Sequence, residues 1–127
     1  MVLFLSPAPV VLVVDDEALL RLDATDALRH AGCRTFQASQ AEEALEVLAL
    51  HPEISILFTD INMPGQRDGV ALAGEVHRRR PDISVIMTSG RERPCASLLP
   101  PDSRFFAKPY DMDVIARNVW SFGRGKD

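Results

Sequence analysis

Five polar residues stand where apolar runs stop. Asp15 and Asp16 follow VVLVV (10–14), Asp60 follows ISILFT (54–59), Thr88 follows ISVIM (83–87), and Lys108 follows RFFA (104–107). If the runs are neighbouring strands, these groups converge on one cleft. Three carboxylates there would repel one another, and one would tend to hold a proton. A divalent cation relieves that repulsion. Mg2+ (or Mn2+) prefers hard oxygen ligands and keeps waters, which leaves positions where a phosphoryl oxygen can bind. Asp15, Asp16, Asp60 and one main-chain carbonyl from the turn after Asp60 suit it. Lys108 is informative because Lys108 and Lys126 are the only lysines among 14 basic residues. A compact ammonium fits a point contact to an anion better than a planar guanidinium does. The Thr88 hydroxyl can donate to the same anion. A carboxylate nucleophile, a divalent metal, a lysine and a hydroxyl are the parts needed to form an aspartyl phosphate. Asp60, held at the tip of a buried strand, is the expected nucleophile.

The elements that must position these groups alternate along the chain. VVLVV is rich in β-branched residues, as in a strand covered on both faces. Residues 17–32 read as a helix with Leu20, Ala24, Ala27, Leu28 and Ala31 on one face and Gly32 as its stop. CRTFQA (33–38) is a weaker strand that ends in nothing ionisable. Ser39 and Glu42 read as a capping box for a helix to Leu50. Strands follow at 54–59, 83–87 and 104–107. Asp68 caps a helix running to Arg80, and Asp111 opens a last helix with Met112, Ile115, Val119 and Phe122 on one face. The segment RERPCASLLPP (91–101) carries three prolines and predicts a short or irregular fourth helix. Five βα units give a parallel sheet with helices on both faces. Ligands of such folds bind beyond the carboxyl ends of the strands.

The 127 residues make one ordinary domain, with 46% hydrophobic and 25% charged residues. A net charge of −4 speaks against direct nucleic-acid binding. Cys33 and Cys95 have no metal-ligand spacing and read as reduced thiols. The apolar start MVLFLSPAPVVLVV lacks a basic flank, is broken by Pro7 and Pro9, and is followed at once by acids. It reads as a tail (1–9) before the first strand, not as a leader or membrane span. The default address is then the cytoplasm, and residues 10–122 form the domain, with a second short tail at 123–127. HRRR (77–80) reads as a solvated helix end complementing the helix dipole. The three histidines lack metal-ligand spacing, and Tyr110 and Trp120 read as packing or rim residues.

Taken together and in order, VVDDE around Asp15 and Asp16, FTDINMPG around Asp60, MTSG around Thr88 and AKPY around Lys108 resemble the receiver domain of two-component response regulators. The chain looks most like the single-domain, chemotaxis-regulator type, and the resemblance spans about Val10 to Phe122. It implies a flavodoxin-like (βα)5 fold with strand order 2-1-3-4-5. It implies Asp60 as phosphoacceptor, with Asp15, Asp16, Asp60 and the Asn62 main-chain carbonyl as Mg2+ ligands. Thr88 and Lys108 would contact the phosphoryl group, and Pro109 would shape the loop that aims the lysine. Phe105 matches the family's aromatic switch position but lacks a tyrosine hydroxyl. The donor would be a sensor histidine kinase or a histidine phosphotransfer protein. Leu19, Arg21 and Leu22 on the first helix are candidate docking residues for it, weighed equally against ordinary surface leucines. The output would be binding of a downstream protein that the sequence does not identify; the resemblance leaves homodimer formation open. Met1 and the short tail fit a free-standing protein better than a receiver within a hybrid kinase.

Two other functions compete. A small-molecule phosphatase with an aspartyl intermediate needs a general acid near the nucleophile and a substrate-gripping cap. Asn62 stands two residues after Asp60 where an acid would be needed, and the chain has no length for a cap. A receiver fold kept only as a phosphate relay or protein-binding scaffold is the other alternative; the complete set of acids, Thr88 and Lys108 argues against a degenerate site.

Overall fold

The computed structural model describes residues 7–63, 68–90 and 99–124. Five parallel strands, β1 (Val10–Val14), β2 (Arg34–Ala38), β3 (Ile56–Asp60), β4 (Ser84–Ser89) and β5 (Arg104–Ala107), form one sheet in the order β2-β1-β3-β4-β5. The described helices are α1 (Ala18–His30), α2 (Ala41–Leu50), α3 (Gly69–Arg79) and α4 (Met112–Arg124). Most of the segment expected to hold an irregular helix, 91–98, lies outside the described residues, as do Pro64 and Gly65 of the turn after Asp60. No helix among the described residues is long and apolar enough to cross a membrane.

The continuous apolar runs are explained by burial on both faces of the sheet. Side chains alternate across a strand. Val10, Leu12 and Val14 of β1 join Leu57, Val85 and Met87 beneath α2 and α3. Val11 and Val13 join Ile56, Phe58 and Ile86 beneath α1 and α4. Leu28, Leu72 and Ile115 are the fully buried leucines and isoleucine that fasten α1, α3 and α4 to these layers. Trp120 packs toward α1 and donates its indole N–H to the Ala31 carbonyl at 2.9 Å. Tyr110 meets the ring of Phe58 edge-on.

Several boundaries differ from the sequence reading, each for a local reason. β3 and β4 continue into their polar residues, so Asp60 is the last residue of β3 and Thr88 lies within β4. Main-chain pairing carries them: Asp60 registers with Thr88, and the Ile61 amide donates to the Thr88 carbonyl at 2.9 Å. The expected Ser39–Glu42 capping box does not form, because the helix starts one residue later. Gln40 is the N-cap of α2 and makes no side-chain cap bond. Glu43, three residues on, accepts from both the amide and hydroxyl of Ser39 at 2.6 and 2.9 Å. Asp68 caps α3 as expected, accepting from the Ala71 amide at 2.9 Å. In HRRR, Arg78 and Arg79 pair with Glu75, while Arg80 donates to the carbonyls of Pro52 and Ile54.

Candidate functional site

The carboxyl ends of β1, β3, β4 and β5 meet in one acidic cleft. Carboxylate oxygens of Asp15, Asp16 and Asp60 all lie within 4.8 Å of one another. Asp15 and Asp60 are buried, 6% and 5% exposed, whereas Asp16 is exposed. The parallel register sets this geometry, because each strand of the group ends at nearly the same level as its neighbour.

Asp60 is held on both oxygens. Its Oδ1 accepts from the Asn62 amide at 3.1 Å, and its Oδ2 accepts from Lys108 Nζ at 2.9 Å. Lys108 reaches it from the end of β5, where its amide donates to the Ser89 carbonyl. The Lys108–Pro109 peptide is cis. Burial disfavours the ammonium, yet its hydrogen bond and attraction to Asp60, reinforced by Asp15, raise its pKa above the usual lysine value. Lys108 is therefore a fixed cation aimed at the strand-tip carboxylate.

Asp15 is in the opposite condition. Burial raises its pKa; the Glu17 amide, donating to Oδ1 at 2.9 Å, opposes the rise, and the charges of Asp60 and Asp16 add to it. A buried carboxyl pressed by two others is poorly placed as a bare anion and well placed as a ligand. The donor set is all hard oxygen and the carboxylates are already gathered, so the residues fit a small divalent cation such as Mg2+.

Thr88 lies beside Asp60 in the β3–β4 ladder and is buried. Phe105 pairs with Met87 in register and packs against the α2–α3 side of the core. The Asn62 side-chain amide donates to Ser89 Oγ at 3.0 Å, tying the β3 loop to the end of β4. Leu19 and Leu22 are exposed, at 78% and 46%. Arg21, between them, is half-buried, and its guanidinium is directed inward to Gln37 and to the Asp15 carbonyl. Between α1 and the β5–α4 loop runs a largely apolar groove of about 450 Å3, lined by Leu20, Ala24, Pro109, Tyr110 and Met112 among others.

Gly69 is a residue of this site that the sequence reading passed over. Its amide donates to the Ile61 carbonyl at 2.8 Å. A Cβ at this position would stand 2.2 Å from the Asp60 carbonyl oxygen. The start of α3 thus rests directly on the backbone of the candidate nucleophile. The available signal was a glycine immediately after the helix-capping Asp68, at a place where a backbone approaches closely.

Residues 11–119 match the family model of the response regulator receiver domain. The sensor kinase CckA of Brucella abortus is 35% identical over 119 residues, covering 91% of this chain and 12% of that protein. A response regulator receiver protein from Sinorhizobium medicae superposes with a TM-score of 0.87 at 28% identity, over 94% of this chain and 98% of that one. The receiver domain of a hybrid histidine kinase CckA superposes with a TM-score of 0.76 at 29% identity, over 89% and 97%. The chain spans between 12% and 40% of the length of the first curated relatives it matches.

Proposed function

The chain belongs to the response regulator receiver domain family, and from that premise we propose that Asp60 accepts a phosphoryl group from a sensor histidine kinase or histidine phosphotransfer protein. The observation that carries this reading is the Asp60 carboxylate, buried at a strand tip with Lys108 Nζ at 2.9 Å and two further carboxylates gathered beside it. A carboxylate oxygen of Asp60 attacks phosphorus, and the phosphorus–nitrogen bond of the donor histidine breaks. The histidine nitrogen leaves with the bonding pair. Lys108 and the Thr88 hydroxyl hold the phosphoryl oxygens as charge moves onto them. Asp15, Asp16, Asp60 and the Asn62 carbonyl would hold Mg2+, which would supply further neutralisation of phosphoryl charge.

Signalling follows from differential contacts. Phosphorylation gives Lys108 and Thr88 a new anion, and any arrangement that lets both reach it gains population. Thr88 and Ser89 belong to β4, and Phe105 registers with Met87 in the neighbouring strand. A shift at the site therefore passes into the β4–β5 edge, where a downstream protein or a second copy would read it. The exposed Leu19 and Leu22 and the apolar groove beside Pro109 support α1 and the β5–α4 loop as the docking face for the phosphodonor. The chain acts as a phosphoacceptor that promotes only its own phosphorylation and hydrolysis.

The test is intact mass after incubation with a small-molecule phosphodonor, with and without Mg2+. The wild type gains one phosphoryl group only with Mg2+, the adduct is lost in alkali, and Asp60→Asn gains none. A folded, Mg2+-binding wild type that gains nothing from small donors or from a panel of histidine kinases would leave the scaffold reading in its place.

A further inference from the structure

Asp16 presents an awkward question. It is exposed, yet its carboxylate is one of the three within 4.8 Å of one another. Its direction is set by the backbone that carries it, and above all by the peptide joining Asp15 to Asp16. That peptide lies one residue past the end of β1, where the β1–β3 ladder stops at Val14 and Thr59. The Asp15 amide still reaches the Ala38 carbonyl of β2, at 3.2 Å. The Asp15 carbonyl has left the ladder and accepts instead from Arg21 Nη1 at 2.8 Å.

Arg21 is well fixed for this task. Its Nε donates to Gln37 Oε1 at 3.1 Å, on β2. Its amide donates to the Glu17 carbonyl, and its carbonyl accepts from the buried Thr25 hydroxyl at 2.7 Å. A guanidinium presents donors in a rigid plane, so anchoring Nε to Gln37 also fixes where Nη1 points. The chain Gln37–Arg21–Asp15 carbonyl therefore links β2 and α1 to the peptide plane that aims Asp16. It also gives β2, which brings no ionisable group to the cleft, an indirect part in building it.

We propose that Arg21, anchored by Gln37, is a positioning residue for the metal site: it locks the Asp15–Asp16 peptide so that the Asp16 carboxylate faces the cation. The inference rests on the metal reading of the acidic cleft. It also separates Arg21 from its two exposed leucine neighbours, whose side chains face solvent.

The experiment compares Mg2+ binding by calorimetry in the wild type, Arg21→Met, Arg21→Lys and Gln37→Met, each first shown to be folded by its unfolding transition. Removing a group that orients a metal ligand characteristically weakens affinity by about tenfold or more. Arg21→Met is expected to raise the Mg2+ dissociation constant by about tenfold. Gln37→Met shifts it in the same direction but less, because Nη1 keeps its acceptor. Arg21→Lys falls between wild type and Arg21→Met, since it keeps one donor and loses the planar bridge. The Asp16 amide resonance of metal-free protein moves in Arg21→Met, and the Mg2+ concentration for half-maximal phosphorylation rises more than the plateau rate falls. A purely structural role would lower the unfolding midpoint and leave Mg2+ affinity as it is, which would overturn the inference. A wild type that binds no Mg2+ would instead overturn the metal reading, and this inference with it.

Discussion

Replacing Gly69 by alanine tests how closely α3 is built against the candidate nucleophile. The added Cβ would lie 2.2 Å from the Asp60 carbonyl oxygen, 2.7 Å from Ile61 Cα and 2.9 Å from the Asp60 carbonyl carbon. All three neighbours are backbone, so no side-chain rotation clears the methyl group. The start of α3 must move away by more than 1 Å to reach ordinary contact. Overpacking of this kind costs about 1–3 kcal/mol, and loss of the Gly69–Ile61 hydrogen bond adds about 1 kcal/mol. Alanine would otherwise be favoured in a helix by about 1 kcal/mol. The net expectation is destabilisation by about 2 kcal/mol, with phosphorylation of Asp60 slowed as its backbone shifts. Gly74 supplies the control. It lies in the same helix, and a Cβ there meets nothing within 4 Å, so Gly74→Ala should stabilise by about 0.5–1 kcal/mol. Urea unfolding of both variants reads the two signs. A Gly69→Ala protein as stable as the wild type, or one that moves in parallel with Gly74→Ala, would refute the close approach.

Leu72→Ala removes a fully buried side chain of α3 and should cost about 2–5 kcal/mol in denaturant unfolding. Glu43 has its pKa lowered below the usual 4.5, first by the Ser39 amide and then by the Ser39 hydroxyl. A depressed acid contributes stability that is present above its unfolded pKa and is lost as pH falls through the folded pKa. Glu43→Gln should therefore lower Tm slightly at neutral pH, and the difference should vanish as the pH drops below 4.5. Mg2+ should raise the Tm of the wild type in a saturable way, because it binds the folded chain preferentially. Asp15→Asn should abolish that rise.

Much of the sheet and the site could be read from residue types alone. Runs such as VVLVV announce burial on both faces, and the first polar residue after each run marks the strand end where ligands bind. The structure brings Asp15, Asp16, Asp60 and Lys108 together, with Thr88 beside Asp60 in the β3–β4 ladder. The strand boundaries were less legible. Main-chain pairing takes no account of side-chain polarity, so the ladder runs on through Asp60, Thr88 and Ser89. The expected capping box at the start of α2 was not realised: the helix begins after Gln40, which makes no side-chain cap bond, and Glu43 instead of Glu42 turns back to Ser39. Arg21 and Gln37 meet across 16 positions of sequence, and Gly69 is dictated by a backbone that arrives from β3. Neither local periodicity nor spacing encodes such meetings.

Chemical mapping of the phosphorylated residue identifies the acceptor. The protein is phosphorylated with Mg2+ present, reduced with borohydride so that an acyl phosphate becomes an alcohol, digested, and sequenced by mass. Homoserine is expected at position 60 alone, dependent on both phosphodonor and Mg2+, with Asp15 and Asp16 recovered as aspartate. Reduction at Asp15 or Asp16 in place of Asp60, or a borohydride-resistant phosphate on Thr88 or another hydroxyl, would contradict it.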